Sequence, residues 1–131
     1  MCVFDKKKKL VSFEKILESL PQIQSIFYYF MGDDVTPDTV KKIIEMEHFK
    51  RFSRMKLQDI PSNFDFDAFS KFMLENKQIW FVLAFYDRTV TEEYMVKVKA
   101  FAEKLKTENY GNYRRPEILL NDIDLVNDNN W

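Results

Sequence analysis

The chain has 131 residues, enough for one domain of ordinary size, and it reads as a single domain over 1–131. Its 20 Lys and Arg nearly cancel 21 Asp and Glu, and a net charge of −1 sets up no field that would draw the whole molecule to nucleic acid or an anionic membrane. At 46 % apolar and 31 % charged residues it is too apolar for a disordered chain, and no apolar run approaches the ~18 residues of a spanning helix.

Ser12 stands as the N-cap of a short helix whose Phe13, Ile16, Leu17 and Leu20 share one face, and Pro21 stops it. Residues 23–31 (IQSIFYYFM) are continuously aromatic and β-prone between Pro21 and Gly32, the pattern of a strand buried on both faces. Thr36-Pro37 supplies an N-cap and a first-turn proline, and Asp38 suits the positive helix end. The helix they open, over 37–52, repeats Val40, Ile44, His48 and Phe52. Residues 55–58 alternate as a short edge strand ahead of Pro61. Asp65 or Asp67 then caps a helix carrying Phe69, Phe72 and Met73. Residues 78–86 (QIWFVLAFY) give the strongest strand signal, too short and too β-branched and aromatic for a helix. Over 91–108 Tyr94, Val98, Phe101 and Leu105 form a helical stripe flanked by Met95 and Ala102, with Glu93 and Lys97 as an i,i+4 pair. Gly111 lies in the next loop, 117–125 (EILLNDIDL) form a last strand, and 126–131 a polar tail.

Strands separated by helices predict an α/β fold, a single layered domain with a mainly parallel sheet covered by helices. The competing architecture is an all-α bundle in which the aromatic runs are buried helices.

Residues 79–86 (IWFVLAFY), then a helix, then Glu117-Ile118-Leu119-Leu120 with Asp122-Ile123-Asp124, resemble the thioredoxin-like domains of the protein disulfide isomerase family. In those domains an I-W-x-V-x-F-Y strand leads into the redox helix and a later strand carries a D-V-D pattern. Tyr110-Gly111 followed by Pro116-Glu117-Ile118-Leu119 is similar to the family's Y-G-x-x-x-x-P-T-I approach to its cis-proline strand, and the two placements compete for the same residues. Where the family carries Cys-x-x-Cys this chain has Asp87-Arg88-Thr89-Val90, which removes the thiols that disulfide exchange requires. The resemblance covers roughly the last fifty residues and implies a redox-inactive, binding-type thioredoxin-like domain.

Residue usage narrows the chemistry. Only Gly32 and Gly111 are glycines, where average usage of about 7 % predicts about nine, and phosphate-cradling loops need glycine clusters. Cys2 is the single cysteine, so no intramolecular disulfide forms and a reducing, cytoplasmic compartment is expected. Residues 1–9 carry the Lys run 6–9 without an apolar segment after it, which reads as a mobile N-terminus over 1–10 rather than a signal peptide.

His48 is the single histidine and has no second His or Cys near it in sequence; the plainer reading is a half-buried helix histidine. Asp33, Asp34 and Asp87 follow strand ends, where carboxylates can gather a divalent cation for phosphotransfer or hydrolysis, although aspartate also favours turns for local reasons. Asp65, Asp67, Asp122 and Asp124 are further paired acids. Tyr110, Tyr113, Arg114 and Arg115 mix rings with guanidinium groups, and Lys41, Lys42, Lys50, Arg51, Arg54 and Lys56 form a second basic concentration. Such mixtures serve single-stranded RNA or DNA, and Tyr and Arg equally dominate protein–protein hot spots.

The 13 Phe, 6 Tyr and 2 Trp exceed what a core of this size hides, so part of them is expected at the surface as a partner-binding patch. The sequence therefore points to a non-catalytic protein-binding module of adaptor, inhibitor or immunity type, without cofactor or metal. Its predicted interaction surface is Tyr110, Tyr113, Arg114, Arg115 and Trp131. A divalent-metal enzyme using Asp33, Asp34 and Asp87 and a nucleic-acid-binding module are the alternatives.

Overall fold

The computed structural model of the chain describes residues 11–127. It is an α/β fold, which excludes the all-α bundle. The elements run α1 (Phe13–Glu18), β1 (Ser25–Tyr29), α2 (Thr39–Ile44), a 3₁₀ turn (Glu47–Arg51), β2 (Arg54–Gln58), α3 (Phe66–Glu75), β3 (Trp80–Phe85), α4 (Glu92–Thr107), β4 (Glu117–Leu120) and β5 (Ile123–Asp124).

The sheet is ordered β1-β2-β3-β4-β5, the first four strands parallel and β5 antiparallel to β4. Strand order that equals chain order has a consequence. Parallel crossovers are right-handed, so successive ones in the same direction place every connecting helix on the same side of the sheet. The packing agrees. Phe13 of α1 meets Tyr28 of β1, Phe69 of α3 meets Phe81 of β3, and Tyr94 of α4 meets Phe85 of β3. Val40 and Ile43 of α2 join the same cluster with Ile26, Met55, Leu57, Leu83, Ile118 and Leu120. The core is thus one layer between four helices and one sheet face.

The sequence places most elements, and the structure corrects several. Residues 23–31 were expected to be buried on both faces; β1 instead alternates, with Ile26 and Tyr28 inward and Phe27 and Tyr29 exposed. The strand at 55–58 is interior rather than an edge, paired to β1 on one side and β3 on the other. The helix expected over 37–52 starts at Thr39, after an Asp38 whose side chain makes no capping bond, and stops at Ile44. A 3₁₀ turn follows and carries Phe49 into the core. Thr36 serves as a turn residue, its hydroxyl accepting from the Asp38 amide at 3.2 Å. The strand expected over 117–125 folds back on itself, because Asn121 and Asp122 both take positive φ (49° and 69°) and make a tight hairpin between β4 and β5. Lys97 forms its ion pair with Asp67 of α3 at 2.8 Å rather than with Glu93, tying α4 to α3.

Of the two cap candidates Asp65 and Asp67, Asp65 starts α3 by accepting from the Ala68 amide at 3.1 Å, and Thr91, expected as the first helical residue, instead caps α4 by accepting from the Tyr94 amide at 3.2 Å. The predicted N-terminal segment 1–10 and Trp131 lie outside the described residues. Of the tail 126–131, Val126 is buried in the core cluster.

Candidate functional site

Parallel sheets normally have both faces covered. Here the described helices cover one, and the other is the candidate site. Across it the register sets side chains in rows: Ser25, Arg54 and Trp80 in one, and Phe27, Lys56, Val82 and Glu117 in the next. Tyr29 pairs with Gln58 beyond them, and Leu119 with Asp124 at the far side.

Three ring systems dominate this face. Phe27 and Tyr29 stack with ring centres 5.0 Å apart and remain 47 % and 42 % exposed. Met31, 60 % exposed, follows them just past the end of β1. Lys56 on the neighbouring strand sets its ammonium 4.6 Å from the Phe27 ring. Trp80 takes two guanidinium groups, Arg114 at 3.6 Å and Arg54 at 4.7 Å from the ring centre. Cations over ring faces are held by the ring quadrupole and keep their N–H edges available. Tyr86 donates to Asp122 at 2.7 Å, accepts from Gln58 at 3.2 Å and carries Arg88 over its ring at 4.3 Å. The Asp122 hydrogen bond, then burial, raises the Tyr86 hydroxyl above its ordinary range, so it stays a donor at neutral pH. A groove of about 330 Å³ runs beside Trp80, lined also by Arg114, Arg115, Glu117, Asp124 and Asn127.

The residues singled out in the sequence divide. Tyr113 is 57 % exposed, and Arg114 is exposed and stacked on Trp80. Tyr110 is buried, and half-buried Arg115 donates to the Leu105 carbonyl and, at 2.6 Å, to the Glu108 carbonyl. It thereby satisfies end carbonyls of α4, where a cation also suits the helix dipole. Neither Tyr110 nor the charged end of Arg115 therefore offers a free contact group of the kind expected. Trp131 lies outside the described residues.

Tyr110 supplies a stability prediction. Among the described residues its buried hydroxyl finds no hydrogen-bond partner, and burial, then Glu108, against the opposing Arg115, pushes it up to about 12 from 10.0. Tyr110→Phe removes an unsatisfied group and is expected to stabilise the fold by about 1 kcal/mol. In the native protein a raised folded pKa means that stability fully present below pH 10.0 is lost as pH rises through about 12. Tyr94, also raised by burial, adds to this loss. Urea unfolding at neutral and alkaline pH checks both: the variant is to start higher and fall less.

The acidic candidates separate. Asp34 is fully buried and accepts from the Tyr28 hydroxyl at 2.5 Å and from the Met31 and Gly32 amides at 3.1–3.2 Å. Asp33 and Asp87 are exposed, and Asp87 faces Asn121. Among the described residues no three His, Cys, Asp or Glu side chains gather where they could hold a metal ion. His48 is half-buried with Nε2 2.9 Å from the Leu17 carbonyl oxygen, tying the 3₁₀ turn to α1. Asp87-Arg88-Thr89-Val90 form the loop from β3 to α4, with Arg88 paired to Asp59 at 3.6 Å. Among the described residues no helix is long and apolar enough to cross a membrane.

Phe27, Tyr29 and Trp80 do not stand out in the sequence as candidate site residues, because aromatic strands look alike whether covered or open. The usable signal was on the neighbouring strand, where Arg54, Lys56 and Gln58 alternate with Met55 and Leu57. Polar alternation in a central strand marks a sheet with one uncovered face.

No family model matches the chain, and neither a curated protein nor a solved structure matches it.

Proposed function

We propose that the protein is a non-catalytic protein-binding module that engages its partner through the helix-free face of the sheet. The observation that carries this reading is the uncovered Phe27–Tyr29 stack beside the Trp80–Arg54–Arg114 cluster on a parallel sheet. Exposed aromatic area on a rigid platform, rimmed by arginine, is the composition of protein interface centres. Repeated strand–helix units also leave such surfaces free as binding platforms. A redox-inactive thioredoxin-like domain would serve the same role.

Charge and ring geometry weigh against a nucleic acid. The cationic residues lie over β1 to β3, but Glu117, Asp122 and Asp124 border the same face and would repel phosphates. The rings are also engaged, Phe27 with Tyr29 and Trp80 with two guanidinium groups, rather than presented singly for base stacking. A polypeptide, with both charge signs and apolar side chains, suits this surface better.

Affinity capture from native extract tests the reading. Wild-type protein and Val96→Ser, an exposed change on α4, are expected to recover the same partner in equal yield. Phe27→Ser/Tyr29→Ser is expected to lose most of it, since central aromatic contacts carry about 2 kcal/mol or more each. Equal recovery by all three proteins would refute the assignment.

A further inference from the structure

Ion pairs among the described residues are sparse, and cations without one, such as Lys41, Lys71, Lys99 and Lys104, occur on the helices as well as on the sheet. Lys42, Lys50, Lys77, Arg88, Lys97 and Lys106 all have a carboxylate within 4.0 Å. Arg54, Lys56 and Arg114, which stand on Trp80 and Phe27, have none among the described residues, whereas Arg88 over Tyr86 is paired to Asp59; what sets the three apart is a ring beneath and no carboxylate beside them. The rings hold the cations in place and partly dry them, yet among the described residues no hydrogen bond occupies their N–H edges. Arg114 holds its guanidinium 3.6 Å over the Trp80 ring centre, and a guanidinium seated on a ring face can still engage a carboxylate through two N–H bonds.

Building on the protein-binding reading, we infer that the occupant of this face is an acidic segment of a partner protein. It lies extended across the strands, with carboxylates on Arg54, Lys56 and Arg114 and an aromatic or large apolar side chain against the Phe27–Tyr29 stack. Two features fix this choice. The three cations, without a carboxylate among the described residues, make the β1-to-β3 half of the face complementary to carboxylates, and the exposed rings beside them require an apolar anchor that a purely charged ligand lacks. The dimensions agree: crossing the two gaps of ~4.8 Å between β1 and β3 takes about three extended residues, and so the motif is short. Glu117 and Asp124, across the groove from Arg114, set its polarity by repelling a carboxylate placed on the β4 side.

Selection from a displayed library of random peptides of about twelve residues, several times the crossing length, tests this on the intact chain. The proteins are wild type, Arg54→Glu/Arg114→Glu and Phe27→Ser/Tyr29→Ser, each checked by circular dichroism for an unchanged fold. Wild type is expected to enrich peptides of net negative charge bearing an aromatic residue. Their affinity should fall at least about tenfold in the charge-reversed variant and weaken with added salt. Enrichment of neutral or basic peptides overturns the inference, as does binding indifferent to the charge reversal. In that second case, loss in Phe27→Ser/Tyr29→Ser would leave the sheet face as the binding surface and remove only its acidic preference. Indifference to both variants, or no enrichment at all, removes both. A thymidine oligonucleotide of similar length that binds wild type more tightly than any selected peptide overturns the inference in favour of single-stranded nucleic acid.

Discussion

Replacing Phe69 by alanine is expected to destabilise the protein by about 3–5 kcal/mol, the range for deleting a buried aromatic side chain. Phe69 is fully buried on α3 and sits among four rings: Phe64 at 5.0 Å, Phe81 at 5.5 Å, Phe72 at 6.2 Å and Phe49 at 6.4 Å. Those rings come from the loop before α3, from β3, from α3 itself and from the 3₁₀ turn. Truncation therefore opens a cavity where separate elements meet, and rings packed edge-on relax poorly into it. Domains of this size have about 5–15 kcal/mol in all, so the variant is to show a large drop in urea midpoint with its slope retained. A change below about 1 kcal/mol would mean that this cluster is loosely packed.

Asp34→Ala is expected to lose about 3 kcal/mol for a different reason, polar satisfaction rather than volume. The carboxylate gathers the Tyr28 hydroxyl and the Met31 and Gly32 amides, and the Asp34 carbonyl accepts from the Phe13 amide at 2.8 Å, docking the start of α1. Alanine keeps that backbone bond but removes the carboxylate on which the Tyr28, Met31 and Gly32 donors converge, and stranding a buried donor costs about 1–3 kcal/mol. Gly32 at φ 99° shows how tightly the chain turns around this carboxylate. Asp34→Asn keeps one acceptor oxygen but sets an amide group against the backbone N–H groups, and its loss is to lie between wild type and alanine. Chemical denaturation of the three proteins orders them.

Much of the architecture was legible in the sequence, because burial writes periodicity into it. The stripe of Tyr94, Val98, Phe101 and Leu105 identified α4, and the β-branched and aromatic stretch around Val82 identified β3. Where tertiary packing overrode local pattern, the reading failed. Ile44 and Phe52 continue a helical spacing on paper, yet the chain leaves the helix after Ile44 so that Phe49 can reach Phe69 and Phe72. Asn121-Asp122 carried its turn signal openly, but apolar residues on both sides made 117–125 read as one strand.

The site was less legible than the fold. Tyr110, Tyr113, Arg114 and Arg115 are neighbours in sequence, and the sequence offers them together as one candidate surface. In space the segment divides: Tyr110 is buried and Arg115 closes α4, while Tyr113 is exposed and Arg114 reaches back to Trp80 on β3. Arg54, Trp80 and Arg114 are far apart in sequence and meet only because the strands run in chain order, a property that element patterns alone do not determine.

Site-directed photo-crosslinking in native extract interrogates the sheet face most directly. A photoreactive amino acid replaces Phe27 or Tyr29 on the open face, or Lys41 or Val96 on the exposed surface of the helical layer. Crosslinks to one common protein from positions 27 and 29, and none from 41 and 96, are the predicted result. Crosslinks confined to the helical positions would contradict the account and move the binding surface to the other side of the molecule.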